Sequence, residues 1–296
     1  MLKNKKIIIS ISLCLLLLIG LIAVLNNYSA RNQAKREELE AVYESLYEQA
    51  MLEIEENEKK REEELKERAE KEATYSPYEK LGEKGMITYV LYLGDRTANG
   101  KGLKDRNESF ILLLRDKYDE FQGKSDRLAG TQSIEKPDGG TLAFLNRQID
   151  IYISTSKLDL LFLCAGTHGQ EEDFGKEYEK IVLKAKNHNK NSDVICIIEH
   201  DQSDEEAEAI IRISEHYELL CVDMRSPFES SQETLLFEDG EPNEQGHQLY
   251  ADEIFKVLKK AVEEKRGTKE LKTTGVFLTS EEFFGITGAK DGNNAN

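Results

Sequence analysis

Cysteine is scarce in this sequence, and positive charge is outweighed by negative. Four cysteines in 296 residues, far apart, exclude a disulfide-stapled scaffold. Cys14 falls in an apolar N-terminal run. Cys164, Cys196 and Cys221 each fall in a short apolar stretch of strand character, so buried free thiols are expected. A Cys164–Cys196 bridge would need neighbouring strands in good register. The 40 basic residues face 57 acidic ones, a net charge of −17. That balance argues against nucleic acid as a partner and against a surface that docks on anionic lipid headgroups; its plain consequence is solubility. No group of His, Cys and Asp has metal-ligand spacing, so no metal and no cofactor is expected.

Charge is missing altogether from residues 7–25, IIISISLCLLLLIGLIAVL. At about 1.5 Å per residue this run approaches the roughly 30 Å of a bilayer core. Lys3, Lys5 and Lys6 precede it and direct the N-terminus to the cytoplasm and the bulk of the chain outside. An uncleaved anchor is favoured over a cleaved signal peptide. Tyr28 breaks the small-x-small pattern at Tyr28-Ser29-Ala30, and Cys14 lies mid-run, not at a lipid-attachment position. Residues 1–30 are therefore read as cytoplasmic tip and single-pass anchor.

Glycine and proline are absent from residues 31–74. Leu39, Val42 and Leu46 have a/d spacing, but the stripe dissolves after Ile54 into alternating charges that support an exposed helix on its own. The segment reads as a charged helical stalk, about 66 Å long if fully helical. It supports at most a weak dimer through its first half.

Tyr75-Ser76-Pro77 breaks the helix. Strands and helices then alternate. Strands are expected at 87–93, 125–133, 158–164, 193–198 and 219–222. Helices are expected at 107–121, from Gly139–Gly140 to about Ser154, at 174–186, from a Ser203/Glu206 capping box to about His216, and from an Asn243 cap through Ala261. LDLLFLC and DVICII are apolar throughout, as strands buried on both faces are. The pattern predicts a doubly wound three-layer α/β/α domain over 75–266 with a five-stranded parallel sheet. The tail, 267–296, has one apolar stretch, GVFL, and a Gly/Asn-rich end. It is expected to pack loosely or to be partly disordered.

The turn after the first strand, Gly94-Asp95-Arg96-Thr97-Ala98-Asn99-Gly100-Lys101-Gly102, is not a Walker loop. Five residues, not four, separate Gly94 from Gly100-Lys101, and Gly102 stands where the magnesium-binding hydroxyl is required. The turn instead resembles the first block of the SGNH/GDSL hydrolases, Gly-Asp-Ser followed shortly by glycine. Gly139-Gly140-Thr141 resembles their second block, Gly166-Thr167-His168-Gly169 the strand-end block Gly-x-Asn-Asp, and residues 239–251, DGEPNEQGHQLYA, the last block. The four occur in order over roughly 86–265. The resemblance implies the SGNH-hydrolase, flavodoxin-like fold and ester hydrolysis or acyl transfer. It also implies an oxyanion site built from the Gly140 and Gly166 backbone with Thr167.

The chemistry-bearing positions depart from that pattern. A serine hydrolase needs a hydroxyl nucleophile, an imidazole base and oxyanion donors. The nucleophile position holds Arg96, with Thr97 the adjacent hydroxyl and Asn99 further along the turn. The oxyanion asparagine position holds His168. The base position before Pro242-Asn243 holds Glu241, with Glu238 or Asp239 as its acid, while the later histidine is present as His247; Asn99 and His247 are the candidate binding residues. Arg96, Glu238, Asp239 and Glu241 are expected to form an ion-pair network around the lost serine. His188 and His216 read as solvated. His200 follows the fourth strand at the sheet's C-terminal edge, where approach to the cleft is the less favoured reading. Two functions stay open. One is an extracytoplasmic hydrolase of acylated cell-surface polysaccharide with impaired chemistry. The other is a pseudo-hydrolase that binds a surface glycan or a protein partner.

Overall fold

The computed structural model describes residues 17, 33–83, 86–95, 97, 100–123, 132–137, 140–166, 173–229 and 231–288, with only the backbone of 33–41, 122, 132 and 232. The chain divides into two units, Met1–Glu67 and Arg68–Asn296.

Helix α1, Gln33–Thr74, begins in the first unit and ends in the second. In the first unit Val42 and Leu46, two positions of the expected a/d stripe, are exposed in the single chain. The expected membrane span lies outside the described residues apart from Leu17, and no described helix is long and apolar enough to cross a membrane.

The second unit is built on five parallel strands: β1 (Val90–Gly94), β2 (Gln132–Glu135), β3 (Leu160–Cys164), β4 (Asp193–Ile198) and β5 (Leu220–Asp223). Their order is β2-β1-β3-β4-β5. Every residue of β1, β3 and β4 is buried. Because successive side chains point to opposite faces, the apolar runs supply two cores at once. Leu161, Leu163, Cys196 and Ile198 pack on one face, under α4 (Leu142–Thr155), α5 (Phe174–His188) and α6 (Asp204–His216). Leu160, Phe162, Cys164, Ile195 and Ile197 pack on the other, under α2 (Pro77–Gly82), α3 (Phe110–Gln122) and α9 (Glu244–Glu263). Two short helices, α7 (Arg225–Glu229) and α8 (Gln232–Leu235), lead from β5 into the loop before α9. Each fully buried Leu, Ile or Phe contributes about 1.5–3 kcal/mol.

The three-layer architecture matches the expectation, and several boundaries move. β1 begins at Val90 and not at residue 87, because the Asp159 carboxylate takes the Tyr89 N–H at 2.9 Å. Most of the expected second strand lies outside the described residues, and β2 starts at Gln132. Ser203 accepts the Glu206 N–H as expected, but the Glu206 carboxylate accepts from Gln202 Nε2, so the capping box is half formed. Asn243 caps α9 by accepting the Gln245 and Gly246 N–H groups. Cys164 and Cys196 are free and lie on opposite faces of the sheet, which excludes a bridge between them.

The tail departs most. Residues 267–288 are docked, not loose. The fully buried Glu179 accepts the backbone N–H groups of Val276, Phe277 and Leu278 at 2.6, 2.7 and 3.1 Å. Beyond that clamp, α10 (Ser280–Thr287) has a capping box between Thr279 and Glu282 and buries Phe283. Residues 289–296 lie outside the described residues.

Candidate functional site

The strand order reverses between β1 and β3, so the crevice at their carboxyl ends is the switch point where open α/β sheets bind ligands. The first and third sequence blocks meet there. Gly94 pairs with Cys164 across the ladder, and Asp95 N–H donates to the Cys164 carbonyl at 3.1 Å.

Asp95 is buried and its Oδ1 accepts the Thr97 N–H at 2.9 Å, a turn held by its own side chain. Thr97 is also buried. Its hydroxyl donates to Glu241 Oε2 at 3.5 Å, and Lys101 Nζ donates to Glu241 Oε1 at 3.2 Å. Glu241 is presented by the loop between α8 and α9. There Phe237 N–H donates to the Glu241 carbonyl, and Leu236 and Pro242 form an antiparallel bridge. Among the described residues, then, the partner of the Thr97 hydroxyl is a carboxylate and not an imidazole. A carboxylate is a far weaker base toward a hydroxyl than a histidine is.

Of the expected ion-pair network, Arg96 lies outside the described residues; Glu241 pairs with Lys101, a residue outside that expectation. Glu238 and Asp239 are exposed, and Asp239 Oδ1 accepts the Glu241 N–H at 3.3 Å, so its visible task is to shape the loop. Gly240 occupies a left-handed conformation, φ 86°, at the tip of that loop. Arg96, Asn99, Thr167 and His168 lie outside the described residues.

Gly140 donates its N–H to the Pro137 carbonyl at 2.8 Å, so the donor expected to face an oxyanion is already used. Gly166 sits at the end of β3 as expected. A Cβ there would lie 3.1 Å from Glu199 Oε2. His247 is not a binding residue of the cleft. It is fully buried, stacks on Phe110, and its Nδ1 accepts the Phe110 N–H at 3.3 Å. Burial, with the charge of His200 adding to it, pulls its pKa down to about 4.

Two residues directly after β4 gain importance. His200 reaches the cleft: Nδ1 lies 3.0 Å from Tyr250 Oη and Nε2 lies 3.1 Å from the Gly240 carbonyl. Glu199 is buried beneath it, and Cys164 Sγ donates to its Oε1 at 3.4 Å. Burial first, then the Asp95 charge, pushes its carboxyl well above the usual range. The available signal was position: polar residues at the carboxyl end of an apolar parallel strand.

No protein-family model matches the chain, and no curated protein sequence does. Solved structures do match. A two-domain esterase active on acetylated mannans aligns at 18% identity with a TM-score of 0.54, covering 66% of this chain and 54% of that one. The same esterase co-crystallized with mannopentaose aligns at 18% identity and 0.52, covering 64% and 53%. A family 3 carbohydrate esterase from Clostridium thermocellum aligns at 14% identity and 0.50, covering 60% and 98%. The chain spans about half the length of the two-domain esterase. The fold of this chain is that of the SGNH/GDSL hydrolases.

Proposed function

We propose that the protein is a membrane-anchored, extracytoplasmic domain of hydrolase fold that recognises acylated cell-surface glycans, with ester hydrolysis impaired. The observation that carries the impairment is the Thr97–Glu241–Lys101 contact. At the position that should present an imidazole to a hydroxyl, a carboxylate is tied to a lysine ammonium instead. The glycan direction is supported by the fold neighbours, an esterase active on acetylated mannans and a carbohydrate esterase. In this reading residues 7–25 anchor the chain and α1 holds the domain away from the bilayer.

A second reading has the same cleft act purely as a binding site, a pseudo-hydrolase for a surface glycan or a protein partner. The pairing of Glu241 with Lys101 favours it, because a base committed to an ion pair is poorly placed to activate water. Incubating the full chain with an activated aryl acetate and a serine-reactive fluorophosphonate separates the two. Turnover that disappears in Thr97→Ala supports residual hydrolysis. Silence in both assays, with binding of acetylated glycan retained, supports the binding reading. Silence together with no glycan binding removes the glycan from both readings and leaves a protein partner.

A further inference from the structure

The loop that carries Glu241 bonds largely to itself. Phe237 N–H donates to the Glu241 carbonyl at 2.8 Å, Gly240 N–H to the Phe237 carbonyl at 3.0 Å, and Glu241 N–H to Asp239 Oδ1 at 3.3 Å. At its tip Gly240 takes φ 86°, and its carbonyl oxygen meets His200 Nε2, 3.1 Å away. His200 stands directly after β4, a strand buried along its whole length, whereas the loop runs between α8 and α9 with an exposed tip. The contact therefore fastens an exposed loop to the sheet.

The partners of the imidazole decide where its proton sits. A carbonyl oxygen only accepts, so Nε2 carries the hydrogen. Nδ1 lies 3.0 Å from Tyr250 Oη, and the same oxygen accepts the His200 backbone N–H at 3.0 Å. Tyr250 is fully buried and packs on Phe110 and Phe228, and its hydroxyl has no other partner among the described residues. A hydrogen on Nδ1 as well would bring two donors onto Oη and leave the hydroxyl proton buried without an acceptor. Tyr250 therefore donates to Nδ1. Burial above all holds the Tyr250 pKa well above its ordinary value, so Oη keeps a hydrogen to give. The ring plane is set by Phe228, whose centroid lies 4.7 Å from that of His200.

We infer that His200 is a positioning residue of this cleft: held as the Nε2–H tautomer by Tyr250, it fixes the Gly240 carbonyl and, through it, the Glu241 carboxylate against Thr97 and Lys101. The contacts run without a gap from Tyr250 on α9, through both ring nitrogens, to Gly240 O. Glu241 is the next residue, and its two oxygens accept from Thr97 Oγ1 at 3.5 Å and from Lys101 Nζ at 3.2 Å. A site side chain keeps its geometry when the groups behind it are themselves locked by packing and hydrogen bonds, and His200 is locked by both. That the Glu241 position matters to a ligand rests on the proposed function; the position itself does not.

The test uses neither ligand nor turnover, so its failure and that of the proposed function are distinguishable. NMR of the imidazole nitrogens in the full chain should show His200, assigned by its absence from His200→Gln, as the Nε2–H tautomer. The Nδ1–H pattern, or an average of the two, would overturn the inference. Hydrogen exchange reads the loop. The Phe237 and Gly240 amides should exchange about tenfold faster in His200→Ala, as the loss of roughly one hydrogen bond allows, while the amides of β4 keep their wild-type rates. His200→Gln, whose Nε2 reaches about as far as the imidazole Nε2, should restore slow exchange. His200→Asn, too short to reach Gly240, should not. Wild-type protection in His200→Ala, or identical behaviour of the Gln and Asn variants, would count against the assignment. The Glu241 carboxyl carbon reads the site. Lys101→Met should shift its signal in the wild type and leave it almost unmoved in His200→Ala, where the carboxylate is no longer held to the ammonium. A full shift in both backgrounds would show that Glu241 is placed without His200 and would reduce the imidazole to a structural contact.

Discussion

Gly94 stands against Cys164 so closely that a Cβ on it would lie 1.9 Å from the Cys164 carbonyl oxygen. The neighbour is backbone in a buried parallel ladder and cannot swing aside. This explains why the turn at the site begins with glycine: the requirement is space, not a left-handed dihedral. Gly94→Ala should destabilise the domain by about 3 kcal/mol or more through overpacking. Gly240→Ala meets nothing within 4 Å but is strained by φ 86°, and should cost only about 1 kcal/mol. Chemical denaturation of the two variants checks the order; equal losses would contradict it.

Restoring the missing chemistry tests how much of the hydrolase geometry survives. Glu241 already contacts the Thr97 hydroxyl on the β1 turn, so a side chain at this position reaches the nucleophile loop. The double variant Arg96→Ser, Glu241→His would place a hydroxyl and an imidazole at the positions where the motif blocks need them. A positioned general base is worth about 10²–10⁴-fold, so aryl-acetate turnover should rise at least about tenfold over the wild type, with new fluorophosphonate labelling. Each single variant should stay near background. A double variant as silent as the wild type would mean that the oxyanion side, where Gly140 N–H is already donated to Pro137 O, is also lost.

Glu179 anchors the tail. Its carboxylate accepts three consecutive backbone N–H groups and the Tyr217 hydroxyl from a site with no exposure. Glu179→Gln turns part of that acceptor into a donor facing other donors. It should cost about 3 kcal/mol and free residues 275–288 for proteolysis and fast hydrogen exchange. Unchanged protection of the Val276–Leu278 amides would show that the apolar contacts of Phe277 and Phe283 hold the tail by themselves.

The sheet was legible because its strands are short, wholly apolar and separated by helices of clear periodicity; the strand of residues 193–198 is the same in sequence and structure. Boundaries set by single side chains were not. The delayed start of β1 depends on Asp159, some 70 positions away, taking the Tyr89 N–H. The docked tail depends on Glu179, which the sequence presents as one more charged helix residue. At the site, Asp95, Thr97 and Glu241 were found through motif spacing, and they do come together. Lys101, Glu199 and His200 were passed over or undervalued because they become neighbours only when β1, β3 and β4 align. His247 was misjudged in the other direction: four residues after Pro242-Asn243 it reads as part of a site, whereas the α9–α3 packing closes over it.

That burial gives His247 a pH signature of its own. Its folded-state pKa of about 4 lies below the ordinary 6.5. Above pH 6.5 the ring is neutral in both the folded and the unfolded chain and contributes no pH dependence. Between 6.5 and about 4 the unfolded chain takes up a proton that the folded chain refuses, so stability falls with falling pH, by roughly 3 kcal/mol across the window. The proton would have to enter beside Phe110, with Nδ1 already accepting the Phe110 N–H. His247→Gln keeps an acceptor for that N–H and cannot titrate. Urea unfolding at a series of pH values should therefore show a wild-type acid limb that is shallower in His247→Gln by about one proton. A variant whose limb runs parallel to the wild type would assign the acid sensitivity to other groups and remove His247 as its source.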